Sequence, residues 1–355
     1  MNQLFRWDQM GLFLLALAAG ILPFAVPEVC AAALREGLTL CSGPLLLSLF
    51  PFLVVSRLLI QCPESDLLAL PFRLAAWGIG IRTPCAARVL CIGFLGGFAP
   101  AASAAAQAVR TGQLTAEEAD ALLPACICSG PSFVVLTVGQ SLLGSAELGV
   151  LLFASQITAN YLTAALLNRF AGVRSVKPGS AAPASPAPPR LDEILADAAI
   201  TYCKLCGFIL FFRMLAAGAG ALLPAGAGTL CAILLEVCSG CDLASRTGRW
   251  GSLLCCAALS VQGLSVLLQV RTICPPEMTL RPLYRARMLH LPLSLALFYL
   301  LLPGGEADVF STLPARVLLM RRVPPDCALL VFAVCCMAAC TLRSGIRQVE
   351  QKQMA

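Results

Sequence analysis

Charge is what this chain has least of. Charged residues fill 12% of its 355 positions, only three of the 25 basic residues are lysine, and there is one histidine, His290. A water-soluble domain carries about 25% charged and 45–50% apolar residues. Here the apolar share is 59% and the mean hydropathy +0.84. Such scarcity excludes a core coated for water, so the solvent for most of the surface is expected to be lipid. The lone histidine excludes a mixed Cys/His zinc set and leaves base catalysis few candidates. Also missing are a phosphate-cradling Gly-x-x-x-x-Gly-Lys loop, a Gly-x-Ser-x-Gly elbow and a His-Glu-x-x-His pair. The chain is therefore expected not to be an enzyme. Without an ATP-binding module, any transport is passive, coupled to an ion or driven by a partner.

What is present must be read against that background. The net charge of +6 does not point to nucleic acid, because the basic residues sit singly or in small groups between apolar runs. Nineteen cysteines lie mostly within apolar stretches, as in Cys126-Ile127-Cys128 and Cys255-Cys256, where the thiol behaves as a small soft hydrophobe. Two Cys-x-x-Cys spacings, Cys203–Cys206 and Cys238–Cys241, put both sulfurs on one helix face. Packing is the preferred reading for them over a redox or metal pair.

A spanning helix needs about 20 apolar residues. Segments meeting or approaching this are 10–27, 38–60, 66–81, 86–108, 121–143, 146–168, 198–223, 226–241, 250–270, 289–303 and 326–342. The run from Met10 to Val26 is longer than a signal core and ends at Pro23 and Pro27, so it reads as a first span and not as a cleavable signal. Pro71 and Arg73 make 66–81 an interfacial or re-entrant piece. The expected fold is all-α, a polytopic membrane protein of roughly eight to ten transmembrane helices.

Residues 172–190, rich in Pro, Ala and Ser, read as a flexible tether. They divide a first half, 1–171, from a second, 191–355. The halves echo one another. Phe52-Leu-Val-Val-Ser-Arg57 matches Phe208-Ile-Leu-Phe-Phe-Arg213. Gly93-Phe-Leu-Gly-Gly97 then matches Glu236-Val-Cys-Ser-Gly240, and Ser129-Gly130-Pro131-Ser132 matches Gln262-Gly263-Leu264-Ser265. Two repeat halves with broken or re-entrant helices in matching places are the sequence signature of a secondary transporter core.

Thr115 followed by Glu117 and Glu118 predicts a capped helix start. Basic residues in the linker (Arg169, Arg174, Lys177, Arg190), in 271–288 (Arg271, Arg281, Arg285, Arg287) and in the tail (Arg343, Arg347, Lys352) place these three on the cytoplasmic side. That requires an even number of crossings between linker and loop. The stretch 250–270, broken at Gly263, is the expected hairpin.

Polar groups in hydrocarbon cost several kcal/mol unless partnered. Glu236 stands in an otherwise apolar run, either as a ligand for a coupling cation or solute, or as a carboxylate at a helix end or paired with Arg213 or Arg57. Ser129-Gly130-Pro131-Ser132 breaks a helix at membrane depth and frees carbonyls, since Pro131 removes a donor. The expected substrate-binding residues are Ser129, Gly130, Ser132, Glu236, Ser239, Gln262 and Ser265. Gln156, Asn160 and Gln269 read as interhelical hydrogen-bonding groups.

Leu22-Pro-Phe-Ala-Val-Pro-Glu28, Ala33-Leu-Arg-Glu-Gly-Leu38 and Leu49-Phe-Pro-Phe52 with Ser56 form an ordered series. It continues through Gly112–Ala119, Ser129-Gly130-Pro131, Thr137-Val-Gly139, Leu235-Glu236, Ser239-Gly240, Gly263-Leu-Ser265, Gln269, Arg287 and His290. The series resembles the sporulation integral membrane proteins of the YlbJ type, which carry a nucleoside-recognition or Gate domain. The resemblance runs from about residue 20 to about 300, with the Gate-like repeat over 38–143. It implies a role in spore formation, kinship with concentrative nucleoside carriers, and dipicolinate as the suspected solute. Three positions depart from the family pattern. Gly97-Phe98-Ala99-Pro100-Ala101-Ala102 shifts a proline and loses a glycine, Ile127 and Cys128 stand where asparagines are usual, and Leu267 replaces a histidine.

The resulting expectation is a transporter-like protein of the bacterial cell or outer forespore membrane, moving a small organic solute, expected to be anionic. Its implied ligands are that solute and a coupling cation, Na+ or H+, with no metal site. Its implied partners are the bilayer, further copies of itself or other spore membrane proteins, and no nucleic acid. The alternative is a non-transporting structural or assembly protein of the developing spore.

Overall fold

The computed structural model describes residues 2–172 and 191–302. The rest of the expected linker, the segment 326–342 and the basic tail lie outside the described residues, as do Arg174, Lys177, Arg190, Arg343, Arg347 and Lys352. Among the described residues every regular element is helical. The fold class is all-α, as the hydropathy predicts.

Three helices lead in: α1 (Asn2–Ala25), α2 (Pro27–Ser42) and α3 (Pro44–Gln61). Pro27 and Pro44 open α2 and α3, where a missing N–H costs nothing. A nine-residue helix, α4 (Leu70–Gly78), occupies the stretch expected to be interfacial or re-entrant. At about 1.5 Å per residue it is too short to cross a bilayer.

The first half then runs through α5 (Pro84–Gly96), α6 (Phe98–Arg110), α7 (Ala116–Cys126), a π-helix (Ser132–Leu142) and α8 (Ala146–Ala171). The second half supplies α9 (Leu191–Leu222), α10 (Ala225–Leu235), α11 (Val237–Ser245), α12 (Gly251–Val261), α13 (Gly263–Ile273) and α14 (Arg281–Leu301). Each half therefore contains two short helices, an interrupted helix and a closing long helix.

The short pairs are hairpins. α5 and α6 turn back on one another at Gly97 (φ +81°), and Gly93 faces Ala101 across the pair. α10 and α11 turn at Glu236, and a Cβ on Gly240 would stand 2.8 Å from the Ile233 Cα. Arms of 9 to 13 residues reach about 14 to 20 Å, short of a core of about 30 Å. Both hairpins are re-entrant by length.

This corrects the expected topology. The element that folds back on itself between linker and loop is 225–245, with its tip at Glu236, and not 250–270. Gly248–Ile273 is instead one apolar stretch of 26 residues, long enough to span and interrupted at Gln262. Hydropathy misassigns the pair because two apolar half-length arms have the composition of one span. The segment 86–108 is corrected for the same reason.

Among the described residues four stretches are long and apolar enough to cross a membrane: Pro27–Leu47, Ala146–Ala171, Leu191–Leu222 and Gly248–Ile273. Large apolar side chains point outward on several helices, among them Phe24, Phe170, Met288 and Leu300. Water would penalise each of them and lipid does not. The chain is an all-α membrane protein.

α6 lies at the centre, against α3, α5, α7 and α13. Alanine recurs along it (Ala99, Ala101, Ala102, Ala104, Ala105, Ala106 and Ala108, all buried), so neighbouring backbones approach closely. Thr115 caps α7 in a full capping box with Glu118, as its sequence predicts.

Candidate functional site

The four helix interruptions meet. At the first hairpin tip, a Cβ on Gly97 would lie 2.7 Å from the Gly130 amide nitrogen. The tip thus packs directly on the break of the first interrupted helix, residues 127–131. That break touches the second interrupted helix, because Gln262 Nε2 donates to the Ile127 carbonyl at 3.4 Å. The second break meets the second hairpin tip. A Cβ on Gly263 would lie 2.9 Å from the Glu236 nitrogen and from the Leu235 carbonyl oxygen. The expected pairs of breaks therefore form one continuous row: 97, 127–131, 262–263, 236.

The second interruption is a double left-handed kink. Gln262 (φ 62°) and Gly263 (φ +70°) follow one another, and the non-glycine residue bears a cost of about 1–2 kcal/mol there. The first interruption uses Pro131, which opens the π-helix at Ser132.

Glu236 is 2% exposed and caps its own helix. Its carboxylate accepts from the amides of Cys238 (2.8 Å) and Ser239 (2.7 Å) and from Ser239 Oγ (2.8 Å). Three donors and the positive end of α11 hold the negative charge there. The arginines considered as its partners are engaged elsewhere. Arg213 pairs with Glu36 at 2.7 Å and Arg57 with Asp197 at 2.6 Å.

Arg287 supplies the opposite charge, and sequence reading did not select it for the site. It is 7% exposed, and no carboxylate lies in salt-bridge range among the described residues. Nη2 donates to the Ile127 carbonyl at 2.6 Å and Nη1 to the Ser260 carbonyl at 3.3 Å. These carbonyls terminate α7 and α12, so the cation sits on two negative helix ends. The Ile127 carbonyl also accepts from Asn160 Nδ2 at 3.2 Å. Buried around it and, among the described residues, without a hydrogen-bond partner are Asn160 Oδ1, Gln262 Oε1 and Arg287 Nε. The available signal was a stripe, Arg287, His290 and Ser294, at helical spacing on α14, all buried.

The remaining selected residues divide. Ser265 is buried and receives Gln269 Nε2 at 2.9 Å within α13, so Gln269 bonds inside its helix and not between helices. Ser129 is buried in the first break, while Gly130 and Ser132 are half-buried. Gln156 bonds across to α12, at the Cys256 carbonyl (3.3 Å) and Ser260 Oγ (3.2 Å), as expected of an interhelical contact. The cysteines of the described residues are free thiols, and Cys126, Cys128, Cys255 and Cys256 are buried in the packing.

A second feature was missed by sequence reading. A cavity of about 150 Å³ opens between α3, α6, α9 and α13, with Arg57, Arg110 and Lys204 on its wall. These residues come from three helices far apart in sequence.

Comparison with protein-family models, with curated proteins and with solved structures finds no match to this chain.

Proposed function

We propose that this chain is a membrane carrier for a small organic anion, with the solute recognised where the four helix interruptions converge. One observation carries the reading: Asn160 Oδ1, Gln262 Oε1 and Arg287 Nε are buried beside the Ile127 carbonyl and unpartnered among the described residues. Buried polar atoms without partners are costly and call for a ligand or an ordered solvent. An arginine lacking a carboxylate favours an anion, and half-helix amino ends add to the attraction. Asn160 and Arg287 join Ser129, Gly130, Ser132, Glu236, Ser239, Gln262 and Ser265 as recognition residues in this reading. Na+ or H+ is the coupling ion to test first. The resemblance to YlbJ-type proteins supports spore formation as the setting and dipicolinate as the first solute to try.

A second reading, a non-transporting assembly protein, has its own supporting observation. Glu236 is fully engaged in capping α11. Solute accumulation in vesicles containing the purified protein separates the two, with dipicolinate and a nucleoside as alternative solutes. The carrier reading expects uptake of the anion, abolished in Glu236→Gln and reduced in Ser129→Ala at normal protein level. No uptake of either solute by the unaltered protein would sink it and leave the assembly role.

A further inference from the structure

We infer that the cavity between the two halves is a second anion site, one that takes a phosphate or carboxylate group. It is separate from the helix interruptions. Arg110 stands twelve residues along α6 from Phe98, about 18 Å at 1.5 Å per residue. The cavity lies instead at the end of the bundle where α6 turns into 111–115 and α13 runs into 274–280.

Its wall is built for negative charge. Arg57, Arg110 and Lys204 face one carboxylate, Asp197. Arg57 is 7% exposed and held in place on three sides. Nη1 pairs with Asp197 at 2.6 Å, Nη2 donates to Thr201 Oγ1 at 3.2 Å and Nε to Ser103 Oγ at 3.3 Å. Ser103 belongs to the first half, and Asp197 and Thr201 to the second, so the arginine is a fixed charge at their junction. Among the described residues Arg110 reaches only the Ile273 carbonyl, at 3.5 Å, and both it and Lys204 are exposed. The Asp197 side chain is 63% exposed, so an incoming anion competes with a carboxylate that has open water to move into. Two cations in excess of one acid, with two hydroxyls beside them, define an oxyanion site. Such a group reaches this end of the bundle either on a soluble solute or on an anionic lipid headgroup.

Titration calorimetry with inorganic phosphate, on the full chain in phosphatidylcholine nanodiscs, tests this. The expected result is saturable binding that weakens about tenfold in Arg110→Gln and in Lys204→Gln, as loss of a charged hydrogen bond implies. Asp197→Asn is expected to tighten it. Arg249→Gln, an exposed position stacked on Trp250 in the turn after α11, should leave it unchanged. Repeating the titration with phosphatidylglycerol in the disc identifies the source. Suppressed phosphate binding marks the lipid headgroup as occupant, and unchanged binding marks a soluble anion. No binding by the unaltered chain in phosphatidylcholine, or equal weakening in Arg249→Gln, overturns the inference. The readout is binding and not flux, so this site and the carrier reading stand or fall separately.

Discussion

The Arg287 guanidinium lies 2.6 Å from the Ile127 carbonyl, and through that bond the last described helix closes the end of a helix 160 positions earlier. Its other hand closes α12 at Ser260. α7 and α12 occupy equivalent places in the two halves, so one side chain holds both interrupted helices. Replacing Arg287 with Met keeps much of the volume and removes both bonds. The Ser260 carbonyl then loses a charged donor. The expected loss is about 2–3 kcal/mol of stability, read as a lowered unfolding midpoint in detergent. Arg287→Lys, which keeps the charge but not the fork, should lie between the two. A Met variant as stable as the parent would remove the clasp.

The two glycines at the first crossing are predicted to behave differently. Gly97 has φ +81°, and a Cβ there would press on the Gly130 nitrogen at 2.7 Å. Gly97→Ala meets both the left-handed cost of about 1–2 kcal/mol and a clash with rigid backbone. A Cβ on Gly130 would find its nearest neighbour at 3.5 Å, ordinary contact, with no left-handed φ. Gly130→Ala is expected to express and unfold like the parent, whereas Gly97→Ala loses at least about 2 kcal/mol. Gly112→Ala calibrates the pair, since its φ is +70° with open space around it.

Much of this architecture was legible, and the illegible part has a physical cause. Breaks advertise themselves: Pro131, Gly97 and Gly263 are residues a continuous apolar helix avoids, and each marks an interruption or a tip. Thr115 announced α7 because its hydroxyl and the Glu118 carboxylate satisfy amides within three residues, a wholly local arrangement. Hydropathy gave the apolar segments but not their direction, because lipid does not distinguish one long span from two short arms. Arg287 was hidden among Arg281 and Arg285, which read together as a loop charge. Only the packing of α14 turns one of the three inward. The basic cavity was invisible for another reason: its wall is assembled from α3, α6, α9 and α13, none of which follows another directly in the chain.

Asp120 offers a test of how the 274–280 loop is tethered. Its Oδ2 accepts from the Thr279 amide (2.8 Å) and hydroxyl (2.7 Å), and Oδ1 from the Leu280 amide at 3.1 Å. Leu280 is left-handed (φ 57°), so this carboxylate holds a strained residue at the start of α14. Asp120→Ala is expected to destabilise the chain by about 2–3 kcal/mol and to expose the loop to limited proteolysis. Asp120→Asn keeps one acceptor and should be cut more slowly. Equal cleavage of parent and Ala variant would show that the loop is held some other way.

Membrane topology separates the hairpin at Glu236 from the span first expected there. If α10 and α11 form a re-entrant hairpin, the turn at Leu223–Pro224 and the turn at Arg246–Trp250 open on the same face of the membrane. If they formed a span, the two turns would open on opposite faces. A short epitope inserted after Leu223, and separately after Gly248, reports this through antibody access in intact and permeabilised cells. Both turns are exposed and neither lies in the core, so insertion is tolerated in each. Matching accessibility is the expected outcome. The α12–α13 stretch then crosses on its own, and a third epitope after Pro276 must show the opposite accessibility to the first two. Opposite labelling of the first two tags would return Glu236 to the middle of a crossing helix, away from the tip where its carboxylate meets three donors.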